Sequence, residues 1–157
     1  MANGKILFLI TELDIGGAEI NLFRLAKGLK ERGWDVEVAA LSGKGEVGDW
    51  LASEGITVHH VRMDNKLSPL AFGRLVRLLR AERPRILHTF LFHANVAGRL
   101  ANLFGRVSVV CSSVRVAERR RRSHLWMDFL TQALVDAEIC VSEGVKAVSY
   151  THLTLPT

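Results

Sequence analysis

Two hydrophobic patterns alternate along the chain. Lys5 to Thr11 holds an almost unbroken apolar run, Ile6-Leu7-Phe8-Leu9-Ile10, as a strand covered on both faces of a parallel sheet would. From Ala18 the period changes. Ala18, Leu22, Leu25, Ala26 and Leu29 fall on one helical stripe, with Arg24, Lys27, Lys30 and Glu31 off it. Gly33 follows the last turn, where a left-handed cap is wanted. The alternation then repeats. Asp35 to Leu41 reads as a second strand, Val47, Trp50 and Leu51 mark a short helix closed by Gly55, and Ile56 to Arg62 reads as a third strand. Pro69 opens the next helix at its first turn. Leu70, Leu75, Leu78 and Leu79 supply its inner side, Arg74, Arg77 and Arg80 its solvated one, and Pro84 ends it. Arg85 to Phe90 is a fourth strand, His93 to Phe104 a helix followed by Gly105, and Val107 to Ser112 a fifth strand. A long helix with Leu125, Trp126, Phe129, Leu130, Ala133 and Leu134 on its stripe leads to a sixth, Glu138 to Ser142.

Strands separated by helical periods, six times over, predict an α/β fold: a doubly wound, Rossmann-like parallel sheet of about six strands with right-handed crossovers. The expected strand order is 3-2-1-4-5-6. Ligands of such sheets bind in the crevice outside the carboxyl ends of the strands. That rule selects residues. Gly16 and Gly17 follow the first strand, Phe92, His93 and Asn95 the fourth, and Ser113 and Arg115 the fifth, so all are expected at one rim.

Gly16-Gly17 at a helix start admits two readings. It is a tight turn, or it is a place where the backbone comes close to an anion and the free N–H groups of the first turn hold it. The spacing is neither GxGxxG nor a Walker loop. His88 lies within the fourth strand and reads first as a core histidine. His93 and Asn95, where strand becomes helix, either cap that helix or contact a hydroxyl-rich ligand. No Ser or Cys with a supporting acid stands beside these histidines in the sequence, so a nucleophilic triad is not expected. His59 and His60 are adjacent in a strand and point to opposite faces, which predicts no shared metal.

Composition adds a few bounds. At 157 residues, nearly half of them apolar, the chain can bury the core of one ordinary domain. No apolar run approaches the roughly 18–20 residues of a membrane span, and the immediate entry into a strand predicts no secretory leader. Cys111 and Cys140 lie in apolar segments without metal spacing and read as free thiols in a reducing compartment. Much of the net charge of +5 comes from Arg115 and from Arg119, Arg120, Arg121 and Arg122. That run is too dense for one helical face. It is solvated in part, or it meets phosphates or an anionic membrane surface. Aromatic residues are not interleaved with it, so nucleic acid is not the expected partner.

Four stretches in order carry a resemblance. They are Gly16-Gly17-Ala18-Glu19 with its helix as far as Arg32-Gly33; Pro84-Arg85-Ile86-Leu87-His88-Thr89 continuing to His93-Ala94-Asn95 and Gly98-Arg99; Ser113-Val114-Arg115; and Val141-Ser142-Glu143-Gly144-Val145. Over roughly residues 4 to 147 the chain resembles the N-terminal domain of the family-four glycosyltransferases of GT-B architecture, in which two Rossmann-like domains face each other across a cleft. The resemblance implies retaining sugar transfer from a nucleotide-sugar donor, a substrate rather than a cofactor, to a glycan or lipid-linked acceptor of the cell envelope. Gly16, Gly17 and Glu19 would form the donor diphosphate loop, and His93, Asn95, Ser113 and Arg115 would lie on the acceptor side. Many relatives carry a histidine after the fifth strand, where this chain has Ser112-Ser113-Val114-Arg115. Arg119 to Arg122 would touch the inner face of the cytoplasmic membrane, as basic surfaces do in members with lipid-linked acceptors. No metal or other cofactor is implied. Residues 1–147 are the expected domain. Residues 148–157, with four threonines and a proline, read as a non-native tail, and the family's nucleotide-sugar domain is absent. The fragment alone is therefore expected not to turn over. A stand-alone binding module is the alternative, and a sugar epimerase of the same architecture a third reading.

Overall fold

The computed structural model describes residues 4–63, 68–114, 127 and 130–140. Its strands are β1 (Lys5–Ile10), β2 (Asp35–Ala40), β3 (Thr57–His60), β4 (Ile86–Phe90), β5 (Val109–Val114) and β6 (Ala137–Cys140). All neighbours pair in parallel in the order β3-β2-β1-β4-β5-β6. The doubly wound order expected from the alternating patterns is therefore the order observed. Helices α1 (Gly17–Glu31), α2 (Glu46–Ser53), α3 (Pro69–Glu82) and α4 (Phe92–Gly105) connect the strands.

The apolar run of β1 divides by period two. Ile6, Phe8 and Ile10 face a core with Leu22 and Ala26 of α1 and Val47 and Leu51 of α2. Leu7 and Leu9 face a second core with Leu75 and Leu79 of α3 and Ala94 and Ala101 of α4. A central strand thus buries both faces, which is why its sequence shows no polar alternation.

Several boundaries differ from the sequence reading, each for a local reason. β5 begins and ends two residues later than expected, because Thr89 and Phe90 of β4 pair with Ser112 and Ser113. Ser113, expected just past the strand, is thus a strand residue. The inner side of α3 is Ala71, Leu75 and Leu79, and Leu70, one position earlier on the helix, is exposed. In α1, Glu19, Leu22 and Ala26 are buried while Leu25 is partly exposed. Leu130 is 66% exposed and Thr131 is buried in its place, against Arg99 of α4. The rest of that long helix lies outside the described residues. Gly105 does not follow α4 but closes it. An added β-carbon there would stand 2.8 Å from Leu79 Cδ1, so the glycine serves close helix packing, and Arg106 takes the left-handed turn at φ 59°. Among the described residues no helix is long and apolar enough to cross a membrane.

Candidate functional site

The sheet order sets the carboxyl ends of β1, β4 and β5 side by side, with Ile10 opposite Phe90 and Phe90 opposite Ser113. At the first of these ends, Gly16 is the N-cap of α1 in extended conformation and no side chain caps it. The first intrahelical bond runs from Ile20 N–H to the Gly16 carbonyl at 3.0 Å, which leaves the N–H groups of Gly17, Ala18 and Glu19 without an intrahelical acceptor. A β-carbon at Gly17 would meet nothing within 4 Å, whereas one at Gly16 would collide with the Glu19 carboxylate. The two glycines are therefore not equivalent. Gly17 opens the helix end to an approaching ligand, and Gly16 makes room for Glu19.

The second end is built on strained backbone. Leu91, the N-cap of α4, sits at φ 70°, ψ 154°, a region nearly reserved for glycine. Its side chain packs against the core beneath α1 and α2, and that anchorage holds the turn. The turn delivers Phe92 and His93 to the first turn of α4, half-buried and ring to ring at 5.4 Å. Asn95, two residues beyond His93, is buried. It donates from Nδ2 to the Ser113 carbonyl at 3.3 Å, and its Oδ1 has no hydrogen-bond partner among the described residues.

The third end connects to the second through polar contacts that the sequence reading did not foresee. His88 Nε2 and Ser113 Oγ lie 2.8 Å apart, both buried, with the imidazole stacked on Phe90. A serine does stand beside a histidine after all, although 25 residues away in the sequence. His88 is thus buried and held by a hydroxyl of the neighbouring strand. On the opposite face of the sheet, Thr89 Oγ1 and Ser112 Oγ lie 2.9 Å apart. Arg99, fully buried, donates from Nε to Ser112 Oγ at 3.1 Å and from Nη1 to Thr131 Oγ1 at 3.2 Å. Arg99 thus ties α4 to β5 and to the segment before β6. Its only sign in the sequence was its place in the Gly98-Arg99 pair. Cys111 between these layers is a free thiol, pushed up by burial and by Asp136.

Gly16, Gly17, Glu19, His93, Asn95 and Ser113 thus occupy neighbouring strand ends. Arg115 and Arg119 to Arg122 lie outside the described residues. An open cavity of about 510 Å³ lies elsewhere, between α2 and β3, and none of the selected residues lines it.

Ionisable residues also gather toward the amino ends of the strands. Lys5 Nζ is 2.6 Å from both Glu37 Oε1 and Glu82 Oε2, and His59 Nε2 is 2.8 Å from Glu37 Oε2. Burial opposes the ammonium, yet the two carboxylate hydrogen bonds outweigh it and hold Lys5 well above its ordinary range. Burial likewise opposes the Glu37 carboxylate, and Lys5 and His59 together hold it below its ordinary value. Glu37, His59 and Glu82 have the spacing of a metal site, and the Lys5 ammonium lies between the two carboxylates. His60 turns the other way, to the Gly43 carbonyl, as adjacent strand residues must.

The family model for Glycosyltransferase Family 4 matches residues 15–156. The capsular polysaccharide biosynthesis glycosyltransferase CapH of Staphylococcus aureus is 29% identical over 110 residues, covering 62% of this chain and 30% of its own length. The crystal structure of Anabaena HepE in complex with UDP superposes with a TM-score of 0.80 at 19% identity, covering 96% of this chain and 41% of that one. The lipopolysaccharide outer core galactosyltransferase WaaB, in its apo form, gives a TM-score of 0.70 at 16% identity, covering 96% and 43%. The chain therefore spans less than half the length of each of these proteins. With the family matched over most of its residues, and the Rossmann-like sheet and helix order in place, the chain belongs to Glycosyltransferase Family 4.

Proposed function

We propose that the protein to which this chain belongs transfers a sugar, with retention at the anomeric carbon, from a nucleotide-sugar donor to a glycan or lipid-linked acceptor. The observation that carries the reading is the open end of α1 at Gly17 in a chain matched to the family from residue 15 onward. A helix N-terminus with space beside it suits a diphosphate, whose oxygens accept from the free N–H groups. Gly16 and Gly17 are the diphosphate loop. Glu19 belongs to it as a shaping residue, since a carboxylate would repel phosphate oxygens. His93, Asn95, Ser113 and Arg115 form the acceptor side, where polar side chains suit sugar hydroxyls. HepE is described in complex with UDP and CapH with capsular polysaccharide biosynthesis, which supports a UDP-sugar and an envelope polysaccharide here.

Residues 1–147 are the acceptor-side domain, and turnover requires a second Rossmann-like domain closing the cleft. Arg119 to Arg122 provide a peripheral contact with the inner face of the cytoplasmic membrane. The test starts from the gene, read past codon 148 in source DNA and expressed whole. With UDP-sugars and a lipid-linked acceptor, sugar transfer is expected, and His93→Ala is expected to lower kcat/KM about 100-fold. A whole protein that forms no glycoside, or a frame that ends without a second domain, would sink the proposal. The complete six-strand sheet favours one other reading, a stand-alone binding module, which predicts tight saturable ligand binding without any product.

A further inference from the structure

The N-terminus of α1 already holds an anion. Glu19 is the third residue of the helix, 7% exposed, and its carboxylate folds back over Gly16. No described residue donates a hydrogen bond to it. A carboxylate so deeply placed is costly when nothing compensates it. Here the compensation is the positive end of the helix, where the N–H groups of Gly17, Ala18 and Glu19 await an acceptor. The geometry therefore offers an incoming anion two things at once. Space is open at Gly17, where an added β-carbon would touch nothing within 4 Å, and negative charge stands at Gly16.

We infer that Glu19 is the resident anion of this helix end, and that a diphosphate must displace its carboxylate in order to bind. The inference rests on the diphosphate-loop reading and assigns that loop a gate. Displacement selects by charge and by the number of acceptor oxygens. A diphosphate offers several oxygens to the N–H groups and to the helix dipole, so it gains enough to move the side chain. A neutral sugar gains nothing there. With the gate shut a negative charge stays at the positive end of the helix.

The test uses the 157-residue chain with inorganic pyrophosphate as the probe, followed by titration calorimetry and thermal melts. Glu19→Gln keeps the shape and removes the charge. Pyrophosphate affinity is expected to rise at least about tenfold, because a like charge a few ångströms away already weakens binding several-fold in bulk water and does so more strongly near a protein surface. The ligand-free melting temperature is expected to fall, because the helix loses its anion. Glu19→Asp retains the charge but draws it back by one methylene, and a rise of about threefold is expected on the same ground. Glu31→Gln makes the same change in net charge at the far end of α1 and is expected to leave affinity within about twofold. If the wild type binds and both Glu19 variants bind equally or more weakly, the gate is overturned and the diphosphate loop survives. If neither the wild type nor any variant binds at tens of millimolar, the loop reading fails and the gate fails with it.

Discussion

A methyl group added at Gly17 meets open space, whereas one added at Gly16 runs into the Glu19 carboxylate. The difference separates stability from binding at a single position. Gly17 is the first residue of α1, and alanine is the better helix former by up to about 1 kcal/mol. Gly17→Ala should therefore melt at the same temperature as the wild type or slightly higher. The same methyl occupies the space through which an anion approaches the N–H groups, so pyrophosphate affinity should fall at least about tenfold. Calorimetry on the two proteins checks both halves. Unchanged affinity would remove the open space above Gly17 from the binding site. The sequence showed that two glycines stand together at a helix start, but not that they differ. That distinction depends on the rotamer of Glu19, a buried acid on a stripe that periodicity reserves for apolar residues.

Between elements, close approach is set by glycines that a periodicity reading passes over. Gly98 lies in the interior of α4, where glycine lowers helix propensity. A β-carbon there would stand 2.6 Å from Thr89 Cγ2 and 3.0 Å from Leu9 Cδ2. Gly98 thus lets α4 sit directly on β4 and β1. Gly98→Ala is expected to cost about 1–3 kcal/mol through overpacking, read as a lower midpoint in urea. Because α4 carries His93 and Asn95, the variant should also weaken acceptor binding in the whole enzyme. The strands themselves were legible because each is a short apolar run between helical periods. The end of β5 was not. Ser113 looks like loop, yet partners on β4 and α4 hold both serine hydroxyls: Thr89 and Arg99 for Ser112, and His88 for Ser113. Contacts at such sequence separations leave no periodic trace, so the polar link between β4, β5 and α4 emerges only once the register is known.

At the scale of the molecule, the two ends of the sheet divide the work. The glycine loop and the residues of α4's first turn lie at the carboxyl ends of the strands, and the ion network of Lys5, Glu37, Glu82 and His59 lies toward the amino ends. Replacing the central cation tests that division. Lys5→Met leaves Glu37 and Glu82 facing each other without their shared ammonium. The loss should be about 2 kcal/mol, in the range for hydrogen bonds to charged groups that are mostly removed from water. Pyrophosphate affinity should be unchanged, since none of the network's residues belongs to the glycine loop. The pH dependence identifies the cause. Glu37 is held below its ordinary 4.5, so its contribution is present above that value and is lost as pH falls through the lowered folded one. Lys5 is held above its ordinary 10.5, so its contribution is complete below that value and is lost as pH rises through the raised folded one. The stability gap between wild type and Lys5→Met, measured by urea unfolding, should thus be flat from about pH 5 to pH 10 and narrow beyond both ends. A gap that does not narrow below pH 4.5 would mean that Lys5 contributes by packing its methylenes and not by its charge. A drop in pyrophosphate affinity would show that the two ends of the sheet are coupled, and that the loop at Gly17 depends on the far edge of β1.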